Sequence, residues 1–251
     1  MPALRIVEEK GGVHMKRWLV VGLLLVFSLG VVMYGVNASD RVFFMPEELS
    51  GVKIVIDPGH GGLDGGASAG EVVERDITLS ISHEVRKRLE KKGATVFMTR
   101  SKGGDALAEH APNDKFGTIR ERKMADLKLR ETMSIDENPD MFISVHVNAI
   151  PQEKWRGSQV FYHAEGDPNS EFLAKAIQES FVGNLKNTDR VAMAIKGVYL
   201  LKKVPVPAVL VETGFISNPE ERALLTDPKY HAKVADAIVE GISDFYKLEE
   251  E

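Results

Sequence analysis

Three short apolar runs, at residues 53–56, 141–147 and 208–213, constrain the fold of this chain most tightly. Each is rich in β-branched residues and bounded by turn formers, the pattern of a buried strand. Each also leads to, or carries, a residue that an apolar interior does not favour. His60 follows the first run across Asp57-Pro58-Gly59, His146 lies inside the second, and Glu212 lies inside the third. Strands that deliver two imidazoles and a carboxylate to one place suit a metal ion with a general base beside it.

Between these runs the apolar period changes. Residues 76–92 read as a helix with Ile77, Leu79, Ile81, Val85 and Leu89 on its inner face, ended by Gly93. Residues 94–99 read as the next strand, so the strand–helix–strand order with one crossover predicts a parallel pair. Residues 119–136, 168–185, 218–225 and 230–246 read as further helices. Phe172, Ala176, Ile177 and Phe181 form the expected buried stripe of the second of these; Val234, Ala237, Ile238, Ile242 and Phe245 form that of the last. Residues 159–163 and 198–201 read as strands. Residues 58–70, with six glycines, and 100–118 read as loops. The alternation predicts a three-layer α/β domain.

Strand phase sharpens the place of His146. Met141, Ile143, Val145 and Val147 point to one face; Phe142, Ser144, His146 and Asn148 point to the other, which turns polar toward the C-terminal end where open α/β sheets bind ligands. A lone histidine here would read as a core residue satisfied by one carbonyl, but the polar line and the second histidine favour a site. Glu212 is costly to bury unless it is ion-paired or faces a cation. A third metal ligand would come from Asp64, Glu71, Glu74 or Asp76, which lie between His60 and the first helix. Helix-dipole charge accounts for Asp76, and spacing alone does not choose between Glu71 and Glu74.

Composition excludes several classes. There are no cysteines, so thiolate-bound zinc, a thiol nucleophile and disulfides are out. The net charge of −5 argues against nucleic acid as a partner. There is no His-Glu-x-x-His and no Gly-x-Ser-x-Gly, and the Gly-Gly-Leu-Asp-Gly-Gly stretch lacks the Gly-Lys-Ser/Thr ending of a phosphate loop. At the N-terminus, Lys16 and Arg17 precede an apolar run over 18–36, and Val36-Asn37-Ala38-Ser39 offers small residues to an export peptidase. Residues 1–38 therefore read as a signal peptide or membrane anchor, with Met15 a plausible start. Residues 39–51 read as a linker and 52–248 as one catalytic domain working outside the cytoplasm.

Five ordered motifs carry a family resemblance: Ile56-Asp57-Pro58-Gly59-His60-Gly61-Gly62, Glu74-Arg75-Asp76-Ile77-Thr78-Leu79, Thr99-Arg100, Ile143-Ser144-Val145-His146-Val147-Asn148-Ala149, and Val211-Glu212-Thr213-Gly214-Phe215-Ile216-Ser217-Asn218-Pro219. On these the chain resembles the zinc-dependent N-acetylmuramoyl-L-alanine amidases of the amidase 3 family. The resemblance implies a mixed, mostly parallel sheet of about six strands between helices. It implies one zinc ion held by His60, Glu74 and His146, which settles the third ligand on Glu74, and it places the catalytic carboxylate at Glu212. The implied substrate is the peptidoglycan glycan strand with its stem peptide, cut at the amide between N-acetylmuramic acid and L-alanine. The short signal-bearing N-terminus, the 100–118 insertion and the Asn148–Gly157 segment are most like the germination-specific type, which acts in spore-cortex synthesis ahead of muramic δ-lactam formation. That likeness implies a place in the intermembrane space of the developing spore and leaves room for an activator protein. The rival readings are a non-catalytic wall-binding or assembly protein and a metal-dependent stem-peptide peptidase.

Overall fold

The computed structural model describes residues 22–28 and 47–249. The signal or anchor segment lies outside the described residues except at 22–28, which is helical and belongs to a unit, Met1–Met45, distinct from Pro46–Glu251. Among the described residues no helix is long and apolar enough to cross a membrane.

The domain is built on a six-stranded sheet. In chain order its strands are β1 (Lys53–Pro58), β4 (Thr95–Met98), β5 (Met141–Asn148), β6 (Gln159–Tyr162), β7 (Met193–Ala194) and β8 (Ala208–Phe215), and a small hairpin of β2 (Ser68–Ala69) and β3 (Val72–Val73) stands apart. The spatial order is β4-β1-β5-β8-β6-β7. All neighbours are parallel except β6, which runs antiparallel to β8. Thus β1, β5 and β8, which contain the three apolar runs at 53–56, 141–147 and 208–213, lie side by side and end at one edge. Pro58 stands opposite Val145, and His146 opposite Glu212.

Helices cover both faces. Ile54, Ile56, Ile143, Val145, Val209 and Val211 pack into one apolar cluster with α1 (Glu74–Lys91), α4 (Asn169–Ser180) and α7 (Pro228–Glu249). On the other face Val55, Phe142, Ala208 and Leu210 meet Leu200 and Leu201 of α5 (Tyr199–Lys203) and Leu127 of α3 (Ile119–Asp136). The strand phase read from 141–148 holds, with the odd-numbered residues in the first cluster and Phe142 in the second. Burial of each such side chain contributes roughly 1.5–3 kcal/mol. The start of α3 follows from a capping box: the Thr118 side chain accepts from Glu121 N, and Glu121 accepts in return from Thr118 N.

Several elements differ from the sequence expectation. Residues 198–201 do not form a strand: Tyr199–Lys203 is a short helix that buries the consecutive Leu200 and Leu201 against the sheet, which a period of two cannot do. The edge position falls to Met193–Ala194 instead. Phe172 is 58% exposed. The stripe that packs is Leu173, Ala174, Ala176, Ile177 and Phe181; five residues separate Phe172 from Ile177, a rotation of roughly 140° around a helix of 3.6 residues per turn. That helix ends at Ser180, and Phe181–Leu185 is a π-helical turn. The first helix begins at Glu74, and Leu79 on its flank is only partly buried. The 100–118 segment contains a helix, α2 (Ala106–His110), whose N-terminus is capped by Asp105. Among 47–51, Leu49 is fully buried and its N–H donates to Lys92 O at 2.8 Å.

Candidate metal centre

The turn after β1 presents His60. Its backbone is left-handed (φ 63°), one of three described non-glycine residues in that region, and Gly61 and Gly62 continue the reversal. The β2–β3 hairpin folds the chain back so that Glu74 N donates to Ala67 O at 2.9 Å. This places Glu74, the first residue of α1, beside His60. His146 arrives from the C-terminal end of β5, on the face the strand phase indicated.

These three side chains converge. Glu74 Oε1 lies 2.9 Å from His146 Nδ1 and 3.3 Å from His60 Nε2, and the two imidazole centroids are 5.0 Å apart with planes at 77°. One ligand atom from each of His60, Glu74 and His146 falls within 4.8 Å of the others. Backbone N–H groups fix the carboxylate: Val147 N donates to Oε1 at 3.0 Å and Ala67 N to Oε2 at 2.7 Å. Glu71 and Asp76 are exposed and stand outside the group, whereas Asp64 sits behind it, 3.0 Å from His60 Nδ1. A carboxylate on the far nitrogen orients a ligating imidazole and raises its basicity. Lys123 Nζ in turn pairs with Asp64 at 2.9 Å.

The donor set fits a divalent cation. Two imidazoles and one carboxylate are a zinc-type ligand set with a coordination position left open. The surroundings are shaped to it: a Cβ at Gly59 would fall on the His146 ring, and one at Gly66 on His60 and Glu74. Burial pushes Glu74 up, but the hydrogen bonds and charges of His146 and His60 outweigh it and hold the carboxyl well below the usual range. Burial opposes protonation of His60, and Glu74 and Asp64 more than compensate, raising it.

Glu212 stands opposite His146 in the β5–β8 register and lines the same cavity of about 390 Å³. Its Oε2 is buried with no hydrogen-bond partner. Burial raises the carboxyl to about 7, with His146 and His60 pulling it down and Glu74 pushing it up. No lysine or arginine pairs with it among the described ion pairs, so the ion-pair reading of this residue is not what the structure presents. Tyr199, Val198 and Ile195 form an apolar wall of the cavity, with Leu127 and Leu210.

Behind the histidines lies a buried polar layer that motif reading left without a role. Asp57 accepts from Thr99 Oγ1 at 2.6 Å, Ser144 Oγ at 2.8 Å and Arg130 Nη1 at 2.8 Å. Arg100 and Arg130 are almost wholly buried. An aspartate inside an apolar run was the available signal, since such a charge needs buried donors nearby.

Comparison with known proteins agrees with this geometry. Residues 54–244 match the model of the Amidase_3 family, N-acetylmuramoyl-L-alanine amidase. The chain is 41% identical over 232 residues to the germination-specific N-acetylmuramoyl-L-alanine amidase of Bacillus subtilis (strain 168), spanning 92% of this chain and 94% of that one. A solved structure of the CwlD amidase from Clostridioides difficile in complex with the GerS lipoprotein superposes with a TM-score of 0.73 at 36% identity, over 78% of this chain and 99% of that one. An N-acetylmuramoyl-L-alanine amidase from Clostridium difficile 630 superposes with a TM-score of 0.67 at 26% identity, over 78% and 97%.

Proposed function

The chain belongs to the Amidase_3 family of N-acetylmuramoyl-L-alanine amidases, and from that membership and the site geometry we propose that it hydrolyses the amide between N-acetylmuramic acid and L-alanine in peptidoglycan, with one zinc ion on His60, Glu74 and His146 and Glu212 as general base. The observation that carries this reading is the partnerless buried Oε2 of Glu212 on the strand next to His146. Zinc, when bound, supplies Lewis-acid chemistry: it acidifies water and polarises a carbonyl oxygen. Glu212 takes a proton from the attacking water and hands it to the amine of L-alanine as the carbon–nitrogen bond breaks. Its elevated carboxyl suits both roles, because a group poised near neutrality accepts and returns a proton readily. The products are a muramic lactyl carboxylate and a free stem peptide. Asp64 steadies His60 through Nδ1, leaving Nε2 toward Glu74.

The likeness to the germination-specific amidase of Bacillus subtilis supports a spore setting, and we infer that this chain removes the stem peptide in spore-cortex maturation, ahead of muramic δ-lactam formation. The site then works outside the cytoplasm, carried there by residues 1–38 as signal or anchor. A lipoprotein, such as the one in complex with the Clostridioides difficile amidase, is the partner we infer, and the role we assign to it here is that of an activator. Mass spectrometry of peptidoglycan digested with and without a chelator tests the reading. Free stem peptide beginning with intact L-alanine, lost on chelation and restored by zinc, is expected. Cleavage inside the stem peptide would make the protein a peptidase, and binding without cleavage would make it a wall-binding protein.

A further inference from the structure

Three consecutive carbonyls carry the turn that presents His60, and two buried guanidinium groups hold all three. Arg100 donates from Nε to Pro58 O and from Nη2 to Gly59 O, each at 2.9 Å. Arg130 donates from Nη1 to Pro58 O at 2.8 Å and from Nη2 to His60 O. The same Arg130 fork reaches Asp57 Oδ1 at 2.8 Å, and its Nε reaches Asp126 Oδ2 at 2.7 Å. We propose that Arg130 is a positioning residue for the metal centre: its guanidinium fixes the left-handed turn at His60 and so aims the imidazole at Glu74.

The energetics favour such a device. A non-glycine residue in the left-handed region is disfavoured by the crowding of its Cβ against the backbone. A charge-assisted hydrogen bond is stronger than a neutral one and offsets that cost. His60 O belongs to the left-handed residue itself, and Arg130 is the group that holds it. Lysine cannot substitute, because only the planar guanidinium has donors enough to reach Asp57, Asp126 and two carbonyls at once. Arg130 touches no ligand side chain in this network; it acts through the backbone of His60. One of the other two supports of Asp57 is separable: Thr99 bonds the carboxylate and makes no side-chain bond to the turn.

This inference rests on the zinc-site reading, and the experiment distinguishes the two. Zinc affinity of the full chain is measured by chelator competition, and the cobalt-substituted protein is followed by its visible spectrum. Arg130→Lys keeps a cation beside Asp57 and is expected to lower zinc affinity about 10–100-fold, the range for losing an outer support of a ligand, and to alter the cobalt spectrum. Thr99→Val lowers the melting temperature but is expected to leave affinity and spectrum as in the unmodified protein. An unchanged affinity in Arg130→Lys overturns the inference. So does a loss in Thr99→Val as large as that in Arg130→Lys, which would mark a general loosening. If Arg130→Lys does not fold, Asp126→Asn, which loosens the guanidinium without deleting it, is expected to lower affinity in the same direction; no change there overturns the inference. An unmodified chain that binds no zinc overturns the metal centre itself.

Discussion

Glu212 holds a carboxylate where the strand offers it nothing to bind, and that arrangement has a measurable stability cost. Its folded-state carboxyl lies above the ordinary value, at about 7. The sign follows from linkage: a raised carboxyl favours the folded state fully below the unfolded pKa, and the advantage is lost as pH rises through the folded one. Metal-free Glu212→Gln should therefore match the unmodified chain near pH 4 and exceed it above pH 7, by up to about 3 kcal/mol, read by denaturant unfolding at both pH values. The same substitution should lower turnover roughly 10²–10⁴-fold with zinc still bound, whereas His146→Ala should lose zinc and turnover together, as metal analysis would record. His60, His146 and Glu212 were legible in sequence because each interrupts or ends an apolar run. Glu74 was legible only through the family motif, since Glu71 sits equally close along the chain. The hairpin between them separates the two: it turns Glu71 out to solvent and Glu74 in.

Among the elements, the parallel trio β1, β5 and β8 sets the site and the helices set its rigidity. Parallel pairing brings three C-terminal ends to one edge, and a one-residue slip of β8 would turn Glu212 to the opposite face. A close helix contact lies elsewhere, where α7 crosses α4 at Gly241. A Cβ there would fall 2.7 Å from Ile177 N. Gly241→Ala should therefore destabilise by about 1–3 kcal/mol through overpacking, seen as a lower melting temperature with zinc affinity unchanged. The helix Ile119–Asp136 was placed correctly from its richness in helix formers, Arg, Lys, Glu, Leu and Met. Residues 198–201 were not, because a short apolar run has no period of its own and the second apolar cluster decided its form.

At the scale of the whole molecule, the buried layer around Asp57 ties strands β1, β4 and β5 to helix α3. Burial pushes the Asp57 carboxyl up, but Arg130, Thr99 and Ser144 outweigh it and hold it below the usual range. A depressed carboxyl stabilises the fold above its unfolded pKa, and that stabilisation is lost as pH falls through the folded value. Asp57→Asn should cost about 1–3 kcal/mol at pH 7 by leaving Asp126 as the one carboxylate that Arg130 pairs with, and should flatten the decline in stability below pH 4, as unfolding curves at pH 3 and pH 7 would show. The sequence by itself determined the layer architecture and the strand phase of His146, and it named the residues of the candidate centre, Glu74 through the family motif alone, because period and motif are local or ordered along the chain. Only the tertiary structure decided which carbonyls the two arginines hold, that Asp64 backs His60, and that Glu212 Oε2 has no partner. Those are properties of atoms brought together from distant positions, and no spacing along the chain encodes them.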